Sequence, residues 1–168
     1  RYIGTSTFAA WQVVESLWAS KELGLNRIIC EQPPYNILDR RIERELIPMA
    51  KTYGIGIIPW SPIAQGLLTG KYRRDRMPDE GRYTDVDNLP VVHSRRLTAD
   101  VFDVIDRLDP IAKKKECTMA QLALAWVLGQ PGITSPIIGP RTLEQLEDNL
   151  GSLEVVLTAT ELAQIEEI

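Results

Sequence analysis

Apolar and polar positions along this chain alternate in four successive units, each a short strand followed by an amphipathic helix. Tyr2 to Thr5 reads as the first strand, and Ser6 and Thr7 carry the oxygens to cap a following helix. Trp11, Val14, Leu17 and Trp18 then repeat at helical spacing, which predicts that both tryptophans face the sheet. Gly24 follows as the left-handed stop. Arg27 to Gln32 is the second strand, and Pro33-Pro34-Tyr35-Asn36 is its stiff exit. Asp39 is expected to cap a helix carrying Ile42, Leu46, Met49, Ala50 and Tyr53. Pro48 either kinks that helix or opens a second helical piece.

Ile55 to Pro59 is the third strand, a β-branched run suited to a sheet covered on both faces. It ends in Trp60 and Ser61, and Pro62 stops the ladder. Periodicity is lost after Gly66, and residues 71–97 form a long loop of mixed charge, either a lid or a disordered, solvated excursion. Thr98 starts a helix with Val101, Ile105, Leu108 and Ala112 on one face. Thr118-Met119-Ala120-Gln121 is a capping-box pattern ahead of a largely buried helix that includes Trp126. Ile133 to Ile138 is the fourth strand, closed by Gly139-Pro140-Arg141. A second capping box, Thr142-Leu143-Glu144-Gln145, opens a helix through Asn149 and Leu150, and Thr158 or Thr160 caps a final segment.

Strands that alternate with helices pack as a parallel sheet. The first three begin near residues 2, 28 and 55, a spacing that fits either a doubly wound sheet or a (β/α)8 barrel. No Gly-x-Gly-x-x-Gly follows a strand, so a Rossmann phosphate loop is not supported. A barrel takes about 250 residues, so this chain would hold about half of one. It opens on Arg1-Tyr2-Ile3-Gly4, as if inside a strand, which is expected of a piece of something longer.

The totals narrow the partners. At 168 residues, 44% hydrophobic and 25% charged, the chain has enough apolar material for an ordinary core. Lys and Arg number 19 against 23 Asp and Glu, and the net charge of −4 argues against a nucleic-acid or anionic-membrane partner. No apolar run approaches the ~20 residues of a membrane helix, and no signal peptide is seen, so no membrane insertion and a cytoplasmic setting are expected. Cys30 and Cys117 stand far apart, as reduced thiols would. The single His93 argues against a histidine-based metal site, and no metal is expected.

The C-terminal ends of four parallel strands share one rim, where α/β folds bind ligands. Here they offer Ser6 and Thr7, Gln32, Trp60 and Ser61, then Gly139 and Arg141. An amide can read a carboxamide, an indole can stack on a flat ring, and a guanidinium beside a helix start suits a phosphate. No member is a good general acid or base, and there is no Ser/His/Asp set, Cys/His pair or paired carboxylate. The rim is expected to bind rather than to transfer protons. By residue type alone Trp60 reads as a core plug; a flat indole at this rim is also able to stack on a flat ligand ring.

Four motifs in order carry a resemblance: Arg1-Tyr2-Ile3-Gly4-Thr5-Ser6, Glu31-Gln32-Pro33-Pro34-Tyr35-Asn36, Trp60-Ser61-Pro62-Ile63-Ala64-Gln65-Gly66-Leu67-Leu68-Thr69-Gly70-Lys71-Tyr72, and Ile137-Ile138-Gly139-Pro140-Arg141-Thr142 with Gln145 and Asp148-Asn149. Over its full length the chain resembles the C-terminal half of the aldo-keto reductase superfamily, nearest the branch with voltage-gated potassium channel β subunits and bacterial relatives. The resemblance implies an α/β fold, a parallel (β/α)8 TIM barrel of which residues 1–168 supply strands 5–8 and their helices. It implies an oxidoreductase that uses NADP (NADPH) to reduce aldehydes or ketones. The alternative is a regulatory, redox-sensing binding subunit of the channel type.

Carried over, Ser6 and Gln32 hold the nicotinamide carboxamide, with Thr7 where the family often has Asn or Arg. Trp60 stacks on the ring. Ser61, Pro62, Ile63 and Ala64 line the pyrophosphate, with Gly66 and Lys71 in the loop that folds over it. Gly139, Arg141, Gln145, Asp148 and Asn149 hold the adenosine end, and Arg141 favours NADP over NAD. The family's Tyr proton donor and its Lys, Asp and His helpers lie on strands this chain does not contain. No catalytic residue is therefore expected among these 168, and the chain alone is expected to be inactive. Half a barrel leaves open strand edges and a bare inner face, so the missing half or a second copy is the expected partner, with a homo-oligomer in view and a small carbonyl compound as substrate.

Overall fold

The computed structural model describes residues 1–84 and 96–168. The chain divides into two compact units, Arg1–Pro62 with Val127–Gly139, and Ile63–Trp126 with Pro140–Ile168.

The first unit is a parallel sheet with helices. Its strands are β1 (Ile3–Ser6), β2 (Ile28–Gln32) and β3 (Gly56–Ile57), in that order and all parallel. The segment 133–138 runs parallel along the far side of β3 through bridges at Ile57–Ile133 and Trp60–Ile137. Sheet order therefore follows chain order, without the reversal that marks a doubly wound sheet. The fourth segment is not a full strand, and Pro136 explains part of this, because it has no N–H to donate. The Thr134 and Ile137 amides donate to the Ile57 and Pro59 carbonyls at 2.8 Å each, and Ile57 N–H donates to the Thr134 hydroxyl at 3.2 Å. β3 is likewise shorter than the apolar run 55–59 that predicts it, but Ile58 N–H still bonds the Glu31 carbonyl.

Helices α1 (Ala10–Glu22) and α2 (Leu46–Tyr53) cover one face of this sheet. The core joins Val13, Ile28, Leu46, Met49, Ala50, Ile55 and Ile57, with Ala10, Val14 and Leu17 packed against it. The two tryptophans of α1 do not face the sheet: Trp11 and Trp18 are 63% and 62% exposed. At about 100° per residue they lie about a quarter turn from the 10, 13, 14, 17 stripe that does. Nor do Ser6 and Thr7 cap α1. Its N-cap is Ala9, whose N–H is taken by the Gln12 side chain at 2.8 Å, while Ser6 Oγ donates to the Gln32 carbonyl. Asp39 also caps nothing; its carboxylate takes the fork of Arg41, and a 3-10 turn (Arg41–Glu43) precedes α2. Pro48 sits in the first turn of α2, where its missing N–H has no intrahelical partner to lose. Gly54 ends α2 at φ 65°, a conformation that favours glycine.

The second unit holds the 3-10 segment Ala64–Thr69, then α3 (Ala99–Lys114), most of α4 (Met119–Gly129), α5 (Leu143–Leu150) and α6 (Ala159–Glu166). α3 buries Ile105, Leu108, Ile111 and Ala112, and α4 buries its whole middle, Trp126 included. The Thr118–Gln121 capping box forms in both directions, at 3.1 Å each way. The box predicted at Thr142 forms by half: its hydroxyl accepts from Gln145 N–H, but the Gln145 amide oxygen takes Arg141 N–H instead. Thr158, not Thr160, caps α6, in a complete box with Glu161.

Two buried side chains anchor the described part of the 71–97 excursion, whose other positions are half-buried or exposed. Tyr72 and Tyr83 are fully buried and meet edge to face at 5.2 Å. Arg73 pairs with Asp109 and Asp106, and Arg74 with Asp103, so part of the segment's charge is matched by α3. Residues 85–95, which include His93, lie outside the described residues. No helix among the described residues is long and apolar enough to cross a membrane.

Candidate functional site

Because the strands of the first unit are parallel, their C-terminal ends lie along one edge. Ser6 and Gln32 are register partners, so their side chains leave the same face of the sheet. Ser6 Oγ donates to the Gln32 carbonyl at 2.9 Å, and Thr7 N–H reaches the same carbonyl at 3.2 Å. Thr7 has φ 60°, unusual for a β-branched residue, and the turn after β1 is thus bent sharply at the rim. Two strands further on, Trp60 is held by its backbone: its N–H bonds the Pro33 carbonyl at 2.9 Å, and its own carbonyl accepts from Tyr35 N–H at 3.3 Å. Its side chain is half-buried, whereas the tryptophan that plugs a core is Trp126. Trp60 is thus a supported ring with a free portion. Gly139 ends the fourth segment on this edge and is exposed.

The backbone just after Trp60 is contorted. Ser61, Ala64 and Gln65 have φ of 60°, 50° and 58°, and Gly66 follows at 104°. Left-handed non-glycine residues in such density are strained, and strain of this kind concentrates at ligand-binding turns. Successive right- and left-handed residues aim amide N–H groups into one concavity, an arrangement that suits an anion. Ile63, at φ −102° and ψ 25°, lies outside the right-handed helical region and is followed by Ala64 at φ 50°, a sequence close to such a pair. Ser61 Oγ is buried with no hydrogen-bond partner among the described residues, a polar group left over for a ligand. Asn36 fixes this turn by donating to the Ser61 carbonyl at 2.9 Å while its amide oxygen accepts from Leu38 N–H. Pro62 is buried beside it.

The remaining predicted residues belong to the second unit. Ile63, Ala64 and Gly66 lie in the contorted turn, and Lys71 Nζ sits 5.0 Å from the centre of the Tyr72 ring. Arg141 is exposed at the start of α5, its N–H tied to the Gln145 side chain at 2.8 Å. Asp148 is held from α4: its Oδ2 accepts from the Thr118 hydroxyl at 3.2 Å, and its Oδ1 and carbonyl accept from Gln121 Nε2 at 3.1 and 2.9 Å. Asn149 is buried next to it.

Two contributors have no site role in the sequence reading. Glu31 is fully buried, and its Oε1 accepts from Phe8 N–H at 2.9 Å; the available signal was a charged residue inside an apolar strand. Gln121 anchors Asp148, which no sequence pattern signals, because the contact spans 27 positions. Tyr35, close to the rim in sequence, donates its hydroxyl to Glu43 at 2.6 Å. Burial works to raise the Glu43 carboxyl, but the Arg40 fork and the Tyr35 hydroxyl outweigh it and hold it below the usual range.

The aldo/keto reductase family model matches residues 1–168, the whole of this sequence. The chain belongs to the aldo/keto reductase family. Among its relatives is a protein of Arabidopsis thaliana named "Probable voltage-gated potassium channel subunit beta", 37% identical over 99% of this chain and 52% of its own length. The "Uncharacterized oxidoreductase YrpG" of Bacillus subtilis is 35% identical over 99% of this chain and 48% of its own, and the "Versiconal hemiacetal acetate reductase" of Aspergillus parasiticus gives the same figures. The chain spans about half the length of the curated relatives it matches.

Proposed function

We propose that this chain is the cofactor-binding part of an NADPH-dependent aldo-keto reductase. The observation that carries the reading is the rim of the first unit: a register-paired Ser6 and Gln32, a supported half-free indole at Trp60, and immediately after it a strained turn with an unpartnered buried hydroxyl. These groups fit a dinucleotide. Ser6 and Gln32 present a hydroxyl and an amide to a carboxamide. Trp60 offers a flat face to the nicotinamide and fixes which side of it is shielded. The backbone donors and Ser61 hydroxyl of residues 61–64 suit a pyrophosphate, with Gly66 and Lys71 following. Arg141, at the start of α5, suits a 2′-phosphate through its fork, and Gln145, Asp148 and Asn149 take the adenosine end. Thr7 shapes the turn through its backbone as much as through its hydroxyl.

A reduced nicotinamide bound there supplies hydride to a carbonyl carbon. What these residues do is bind, orient and exclude water. On this reading the proton donor is not assigned among the described residues: Tyr35 is engaged by Glu43, and Tyr72 and Tyr83 are buried against each other. Sequential parallel strand order supports a (β/α)8 barrel in which these are strands 5–8, completed by a further half or a second copy. The relatives named as channel β subunits favour a second reading, a redox-sensing subunit that uses the same cofactor site.

The test is a titration of the purified protein with NADPH, followed by tryptophan fluorescence. Quenching is expected, and Trp60→Ala should weaken binding by about tenfold or more, the loss of a stacked aromatic face. Unchanged affinity and unchanged quenching in that variant would remove the stacking role.

A further inference from the structure

We propose that Glu31 is a positioning residue of this rim, bracing the turn after β1 from beneath and so setting where Ser6 and Thr7 stand. The proposal deepens the nicotinamide reading and rests on it for what the two side chains are positioned to hold.

Strand alternation alone would place Glu31 opposite Ile28, on the open face of the sheet. The β1–β2 register slips by one residue, pairing Ile3 with Ile28 but Gly4 with Cys30. The extra residue turns Glu31 onto the helix-covered face, beside its register partners Thr5 and the core residue Ile57. The carboxyl is thereby sealed in, with no exposure. A buried carboxyl must be hydrogen-bonded. Oε1 takes Phe8 N–H at 2.9 Å, the first amide beyond the left-handed Thr7. That bond fixes the far end of the turn, while the Ser6 hydroxyl and Thr7 N–H fix its near end on the Gln32 carbonyl. The neighbouring residues Glu31, through its side chain, and Gln32, through its carbonyl, therefore hold the two ends of the turn.

The second oxygen explains a further pair of loose ends. Glu31 Oε2 and Thr5 Oγ1 are both buried without a partner among the described residues, and they belong to residues directly paired across β1 and β2. One is an acceptor and the other a donor. A single bridging water would join them and complete the brace.

The experiment measures amide hydrogen exchange and NADPH affinity together in the purified protein. Glu31→Ala should speed exchange at Phe8 by about tenfold or more, the effect of losing a hydrogen bond to a carboxyl, and weaken NADPH by a similar factor. The Ile58 amide, which bonds the Glu31 carbonyl rather than its side chain, should keep its wild-type rate. Glu31→Gln keeps an oxygen for Phe8 and offers an amide to Thr5, so it should restore both Phe8 protection and affinity to within about threefold of wild type. Wild-type exchange at Phe8 in Glu31→Ala overturns the brace. Equal acceleration at Phe8 and Ile58 also overturns it, because Glu31 would then only fill the core. If the wild-type protein takes no NADPH, the cofactor reading falls, while the Phe8 and Ile58 rates still decide the role of Glu31.

Discussion

Glu161 is the place where a charge contributes most visibly to this fold. Its Oε2 meets Lys115 Nζ at 2.8 Å and both the N–H and the hydroxyl of Thr158 at 2.8 Å. The side chain is 9% exposed and that of Lys115 22%, with Lys115 also donating to the Val156 carbonyl. Lys115 first, and then the Thr158 amide, hold the carboxyl down from its ordinary 4.5 to about 2, against the opposing effect of burial. Taken at face value that drop corresponds to about 3 kcal/mol. Solvent reaches one edge of the pair, and screening reduces the figure to about 1–2 kcal/mol. The folded carboxyl is more acidic than the unfolded one. The contribution is therefore fully present above about pH 4.5 and is lost as pH falls toward 2. Glu161→Gln removes the charge but keeps an N3 oxygen for the capping box. Thermal unfolding followed by circular dichroism should show a Tm lower by about 5 °C at pH 7, with the gap to wild type closing by pH 2. A gap that stays constant from pH 7 to pH 2 would show that the loss is one of packing or capping, and the charge argument would fail.

Two further substitutions probe the sheet and the anion end of the proposed site. Gly4→Ala places a methyl group 2.7 Å from the Cys30 carbonyl oxygen, which as backbone in a paired strand cannot move aside. It should destabilise the chain by about 2–4 kcal/mol, measured by urea unfolding, and a loss below about 1 kcal/mol would mean the β1–β2 pairing is looser than described. Arg141→Ala should weaken NADPH about tenfold more than NADH in parallel titrations, because only the former carries a 2′-phosphate for the fork. Equal losses for the two nucleotides would remove that assignment.

Local chemistry was legible in the sequence wherever partners are near neighbours. The capping box at Thr118–Gln121, the stop at Gly54, the βα alternation and the four strand ends all depend on contacts within a few residues or on simple periodicity. That the strand ends share one edge followed from that order, because parallel strands necessarily run the same way. The sequence misled where two local patterns compete. Trp11 and Trp18 repeat as well as any stripe on α1, yet the small and branched residues at 10, 13, 14 and 17 took the sheet and left the indoles outside. Ser6 has the chemistry of a helix cap, but the Gln32 carbonyl on the adjacent strand claimed its hydroxyl.

What only the tertiary structure decided are the long-range choices. A one-residue slip between β1 and β2 turned Glu31 from the open face to the core side, and no hydrophobic pattern records such a slip. Gln121 reached Asp148 across 27 positions, and Tyr72 and Tyr83 closed on each other inside a stretch whose composition reads as solvated loop. The amino-acid order determined which residues arrive at the rim. Register and packing, which depend on contacts between distant segments, determined how Ser6, Thr7 and Ser61 are held there.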